Sequence, residues 1–105
     1  MNTIPYILLT ITIFNELDNE NSWIARCNEL GTSTFGDSFD EVAREIQDLI
    51  LLHLNSLEET GERLAFFKEN SIEIRNDVIP EYVESKPVRL NEYSRRYAQP
   101  LLQPA

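Results

Sequence analysis

The run Gly36-Asp37-Ser38-Phe39-Asp40-Glu41-Val42 marks the start of a helix, and it constrains the chain more than any other stretch. Ser38 can accept from the backbone N–H of Glu41 while the Glu41 carboxylate reaches back, the pattern of a capping box. Behind it, Phe39, Val42, Ala43, Ile46, Leu49, Ile50, His53, Leu54 and Leu57 fall within a stripe of roughly 140° when successive residues are set about 100° apart. A helix with one such face must bury it against another layer. Gly61 ends the helix, and Leu64, Phe66 and Phe67 predict a second, shorter one.

The layer to be covered is written just upstream. Ile7, Leu9, Ile11 and Ile13 alternate with Leu8, Thr10 and Thr12, the period of a strand with one buried face. The polar run from Asn15 to Asn21 is a turn, and Ser22 to Cys27 forms a second strand with Trp23, Ala25 and Cys27 on one side. Gly31 marks another turn before a short third strand, Thr32 to Phe35. These three strands form an antiparallel meander. Ile72 and Ile74 in SIEIR alternate as a fourth strand, so the expected order is β-β-β-α-α-β, an α+β domain with a helix pair over one sheet face.

Charge and proline divide the chain near Arg75. It has 105 residues with 18 acids and 9 bases, a formal charge of −9. Residues 1–75 carry 14 of the acids and 5 of the bases, whereas residues 76–105 carry four of each. Four of the five prolines also fall in the second block, so residues 1–75 are expected to be the folded domain and 76–105 a C-terminal arm. A short helix is expected from Asn91, with Arg95 and Arg96 near its end and Pro100 stopping it. Tyr82, Tyr93, Tyr97, Leu101 and Leu102 give the arm apolar surface to dock on its own domain or on a neighbouring subunit. A polyanion lacks the Lys and Arg needed to displace counterions from phosphate, which argues against nucleic acid and for a basic partner. The single cysteine, Cys27, has no internal disulfide partner, and the expected compartment is the cytoplasm. Tyr6 to Phe14 is too short to cross a bilayer, and MNTIP has neither the basic residues nor the following cleavage site of a signal peptide.

The residues offer little for catalysis. His53 lies on the apolar stripe and Cys27 on the sheet face, both read as packing residues, and one Cys with one His does not make a zinc site. Glu41, Glu45 and Asp48 share one side of the first helix and could gather a hard cation, but Arg44 and Gln47 share that region and a solvated face is the simpler reading. Neither GDS nor ETGER has the spacing or the lysine of a phosphate loop. No enzyme, cofactor or metal is expected. Leu51 and Leu52, at roughly 120° and 220° from Phe39, lie outside the core stripe; they are covered by the second helix and the arm, or they belong to an interface. With Tyr93, Tyr97, Leu101 and Leu102 they form the candidate partner or subunit contact, in a dimer or tetramer.

The stretch Trp23-Ile24-Ala25-Arg26-Cys27-Asn28-Glu29-Leu30-Gly31, followed by Gly36-Asp37-Ser38-Phe39-Asp40-Glu41-Val42, resembles the HicB-like antitoxins of toxin–antitoxin pairs. There a strand reading W-V-A-x-x-P-x-L-G leads through G-D-T/S into a helix beginning E-E-A. The segment Leu57 to Ile74 is similar to the helix and last strand of many members, so the resemblance covers roughly residues 6–75. Asn28 stands where the family has proline, Asn21 where glycine is frequent, and Val42 where alanine is usual. The resemblance implies a partial ribonuclease-H-like βββαβ domain without catalytic carboxylates, which covers a small basic HicA-like ribonuclease so that mRNA cannot enter. Residues 76–105 are short and uncharged overall, which argues against the DNA-binding module of many relatives. The alternative is an orphan HicB-fold scaffold or regulator without a toxin. A metal-dependent nuclease on the same frame would need carboxylates on the first strand, and ILLTITIF has none.

Overall fold

The computed structural model describes residues 4–16, 21–78, 85–89 and 92–101. The chain is α+β, with one antiparallel sheet and two helices among the described residues. Strands β1 (Tyr6–Asn15), β2 (Trp23–Cys27) and β3 (Thr32–Gly36) form the meander, followed by α1 (Phe39–Thr60) and α2 (Arg63–Glu69), then β4 (Ser85–Arg89) and β5 (Glu92–Pro100). The sheet order is β3-β2-β1-β5-β4.

Local chemistry sets the helix ends. Ser38 Oγ accepts from Glu41 N at 3.1 Å, and the Glu41 carboxylate takes the Asp37 N–H at 2.9 Å, one residue earlier than in a standard capping box. Gly36 makes this possible, since a Cβ there would stand 3.0 Å from the Glu41 carboxylate and 3.1 Å from Val42. At the other end Gly61 adopts φ 72°, and the N–H groups of Gly61 and Glu62 return to Glu58 O and Leu57 O. Val42, Ile46, Ile50, Leu54 and Leu57 are buried, as the stripe predicts, while Phe39 stays partly open.

The core lies between α1 and the inward face of the meander. Ile7, Leu9, Ile11 and Ile13 meet Ala25 and Cys27 across the sheet and pack with the α1 stripe, Phe67, Ile72 and Leu101. Small Ala25 and Cys27, both fully buried, let α1 lie close across β2 and β3. No helix among the described residues is long and apolar enough to cross a membrane.

Two expectations about the second half of the chain need correction. Residues 72–74 do not form the fourth strand, and only a single bridge joins Arg75 to Tyr6. The edge of β1 that they would extend along is already engaged. Asn28 N donates to Thr10 O, and the Glu29 carboxylate accepts from Thr10 N and Oγ1 at 2.6 and 2.9 Å, so the edge is taken up as far as Thr10, and Arg75 meets it at Tyr6. Ile72 and Ile74 still pack on the core, which accounts for their alternation. The strand on the other side of β1 comes from residues 92–100, where a short helix was expected. β5 pairs with β1 from Tyr6↔Pro100 to Phe14↔Glu92, and Leu101 N then donates to Pro5 O. The long open edge of β1 offers nine residue pairings, more than an isolated short helix could supply to itself.

Candidate partner-binding surface

The helices shelter only part of the sheet. α1 crosses β2 and β3 and touches β1, and α2 packs on α1, so no described helix lies over β5 and β4 on that side. The inward side of β5 is set by its register. Tyr93, Arg95, Tyr97 and Gln99 stand opposite Ile13, Ile11, Leu9 and Ile7, and directly paired residues share a face.

A trough therefore runs beside α1 with β5 as its floor. At one end a hollow of about 190 Å³ is lined by Ile11, Ile13, Phe39, Ala43, Gln47, Tyr93 and Arg95. At the other, a hollow of about 230 Å³ is lined by Leu51, Leu54, Asn55, Glu58, Arg63, Gln99, Pro100 and Leu101. The α1 wall is the row Phe39, Ala43, Gln47 and Leu51, spaced by four residues and hence stacked along one ridge. Phe39 anchors the first end. Its ring meets Trp23 at 5.6 Å and Tyr93 at 5.5 Å, both edge to face, joining β2, α1 and β5. Glu58 and Arg63 close the second end with an ion pair at 2.9 Å.

The candidate interface residues are not brought together as one patch. Leu51 and Tyr93, 45% and 43% exposed, belong to opposite ends of the trough. Leu52, 65% exposed, lies on the other flank of α1: it follows Glu45 by two turns, within about 20° of it around the helix, and Glu45 accepts from Thr34 Oγ1 on β3 at 2.8 Å. Tyr97 lies half-buried against the core. Leu101, at 3% exposure, is a core residue and presents no surface to a partner, because the β1–β5 ladder draws it under α1. Leu102 lies outside the described residues, as does Tyr82. Arg95 and Arg96, adjacent in sequence, face opposite sides of the sheet and do not form a joint cationic patch.

His53 Nδ1 is 3.1 Å from Thr32 Oγ1, and its ring meets Phe66 edge-on at 5.1 Å. Burial pushes the Cys27 thiol up to about 11, which keeps it protonated and a poor nucleophile at neutral pH. Tyr97 is also pushed well above the usual phenol range by burial, and its buried hydroxyl has no hydrogen-bond partner among the described residues. Glu41 and Glu45 spend carboxylate oxygens on Asp37 N and Thr34 Oγ1, leaving Asp48 of that trio exposed beyond them.

The sequence reading missed the trough and the exposure of Phe35. The trough needs β5 to be a strand, and Tyr93-Ser94-Arg95-Arg96-Tyr97 alternates too weakly to say so. Phe35 is 80% exposed because its side of the sheet, opposite Ile24 and away from α1, carries no helix among the described residues. Compared with models of protein families, with curated proteins and with solved structures, the chain finds no match.

Proposed function

We propose that this protein is a non-catalytic binding protein of HicB-like type, which occludes a small basic RNA-cleaving toxin of HicA-like type. The observation that carries this reading is the pairing of unspent acidic charge with exposed leucine on the helical layer. Asp48, Glu59, Glu62 and Glu69 are exposed there, and so are Leu51, Leu52 and Leu64. An acidic surface studded with apolar side chains suits a partner whose RNA-binding face is cationic and amphipathic. Opposite charges speed the encounter, and burial of the leucines holds the complex. The α+β frame, the meander and the helix pair agree with the partial ribonuclease-H-like domain that the resemblance implies. Inhibition on this reading is steric: the antitoxin covers the surface that RNA must reach, and it contributes no catalytic group. The working compartment is the cytoplasm, where the toxin's mRNA substrate lies.

Co-expression with the product of the adjacent small gene tests the reading. A toxic neighbour that is neutralised, and a complex that survives purification at low salt and weakens as salt rises, are the expected results. Leu51→Glu should weaken that complex about tenfold or more while leaving the fold intact. A harmless neighbour, or no complex at low salt, defeats the proposal. The second reading, an orphan HicB-fold scaffold or regulator, is favoured by exposed Phe35, which lies on the sheet face opposite the acidic helices.

A further inference from the structure

We infer that β3 is the edge through which two copies of this chain join into one continuous sheet. The two edges of the sheet differ in their defences. β4 has the sequence SKPVR, whose proline has no backbone N–H to offer a further strand. β3 has the sequence TSTFG, with no charge and no proline, and its Phe35 is 80% exposed.

The register shows which backbone groups the β3 edge presents. Asn28 N donates to Thr10 O at 2.9 Å and Glu16 N to Ser22 O at 2.8 Å, so even-numbered residues carry the β1–β2 ladder. Trp23, Ala25 and Cys27 then spend their bonds on β3, and their partners Gly36, Thr34 and Thr32 face β2. Ser33 and Phe35 are left with N–H and C=O pointing outward. Pairing Ser33 of one copy with Phe35 of the other joins four hydrogen bonds about a two-fold axis at Thr34. It also sets the two Phe35 rings on a diagonal of about 7–8 Å, within reach of each other.

Charge selects a second copy as the occupant. A chain of net charge −9 repels its own kind, so two copies meet with least repulsion along a strand whose own residues carry no charge, as β3 does. A basic partner gains nothing electrostatic from it. The opposing cost is known: the two-fold axis brings the Glu45 carboxylates toward each other, since each is held by Thr34 on the inward side. Added salt screens that repulsion and tightens the dimer, the reverse of its effect on an acidic–basic complex. The inference does not rest on the toxin reading, and the two have opposite salt signatures.

Sedimentation equilibrium of the full chain over a concentration series, at low and high salt, tests it together with amide hydrogen exchange. A monomer–dimer equilibrium that strengthens several-fold with salt is expected, with the Ser33 and Phe35 amides slowing as dimer accumulates. Phe35→Lys should weaken the dimer about tenfold or more with an unchanged circular dichroism spectrum. A monomer at every concentration overturns the inference. So does a dimer whose Ser33 and Phe35 amides exchange as fast as in the monomer, a measurement that needs no variant.

Discussion

Residues 1–75 and the C-terminal strands contribute to the same core by different rules. The first region carries its instructions locally: alternation for β1, a cap at Ser38, a stripe along α1 and a left-handed glycine at Gly61. β5 carries almost none. Its inward side holds Tyr93, Arg95, Tyr97 and Gln99, half of them polar, and it is a strand because β1 offers it an edge from Tyr6 to Phe14. A segment with weak periodicity can therefore be as integral to a fold as one with strong periodicity, provided its partner is strongly specified. The division of the chain by charge and proline does not follow the packing, since Leu101 of the neutral block is buried in the core of the acidic one.

The largest effect that would break this comparison is at Leu101. Ile46→Ala, at the centre of α1, should cost about 2–5 kcal/mol in denaturant unfolding, and Leu101→Ala should cost a similar amount. If Leu101→Ala falls within about 0.5 kcal/mol of the parent chain, the C-terminal strands are an appendage and the equivalence fails.

Alkaline pH sharpens it where β2 and β5 both face the core. The Cys27 thiol, ordinarily near 9.0, is held up to about 11 by burial, and Tyr97 is raised above 10.0 by the same cause. Both keep their protons longer in the folded state, so stability is full below about pH 9 and falls as pH climbs toward 11. Chemical denaturation across that range should show the decline, and Cys27→Ala combined with Tyr97→Phe should flatten it. An unchanged slope in the double variant places its origin elsewhere.

Tyr97→Phe alone is the smallest test. It removes a buried hydroxyl without a described partner while keeping the ring on the core, so stability at neutral pH should stay level or rise by up to about 1 kcal/mol. A loss of more than about 1 kcal/mol would mean that the hydroxyl has a partner in the folded protein.

What the sequence by itself determined about this protein is whatever depends on neighbours a few residues away. The three-strand meander, both helices, the capping at Ser38 and the inward faces of β1 and β2 follow from periods of 2 and 3.6 and from single residues with special backbone or side-chain chemistry. Of the candidate surface, the exposure of Leu51 and Leu52 was legible from the helical wheel. Their separation onto opposite flanks of α1 was not, because it depends on where β3 and β5 lie beneath the helix. Only the tertiary structure decided that Ile72 and Ile74 would pack without pairing, that residues 92–100 would take the edge beside β1, and that Leu101 would be buried while Phe35 is not. Pairing between Tyr6–Phe14 and Glu92–Pro100 joins residues far apart in the chain, and it is a competition for the two edges of one strand. Its outcome depends on what reaches each edge, here β2 and the Glu29 carboxylate on one side and β5 on the other.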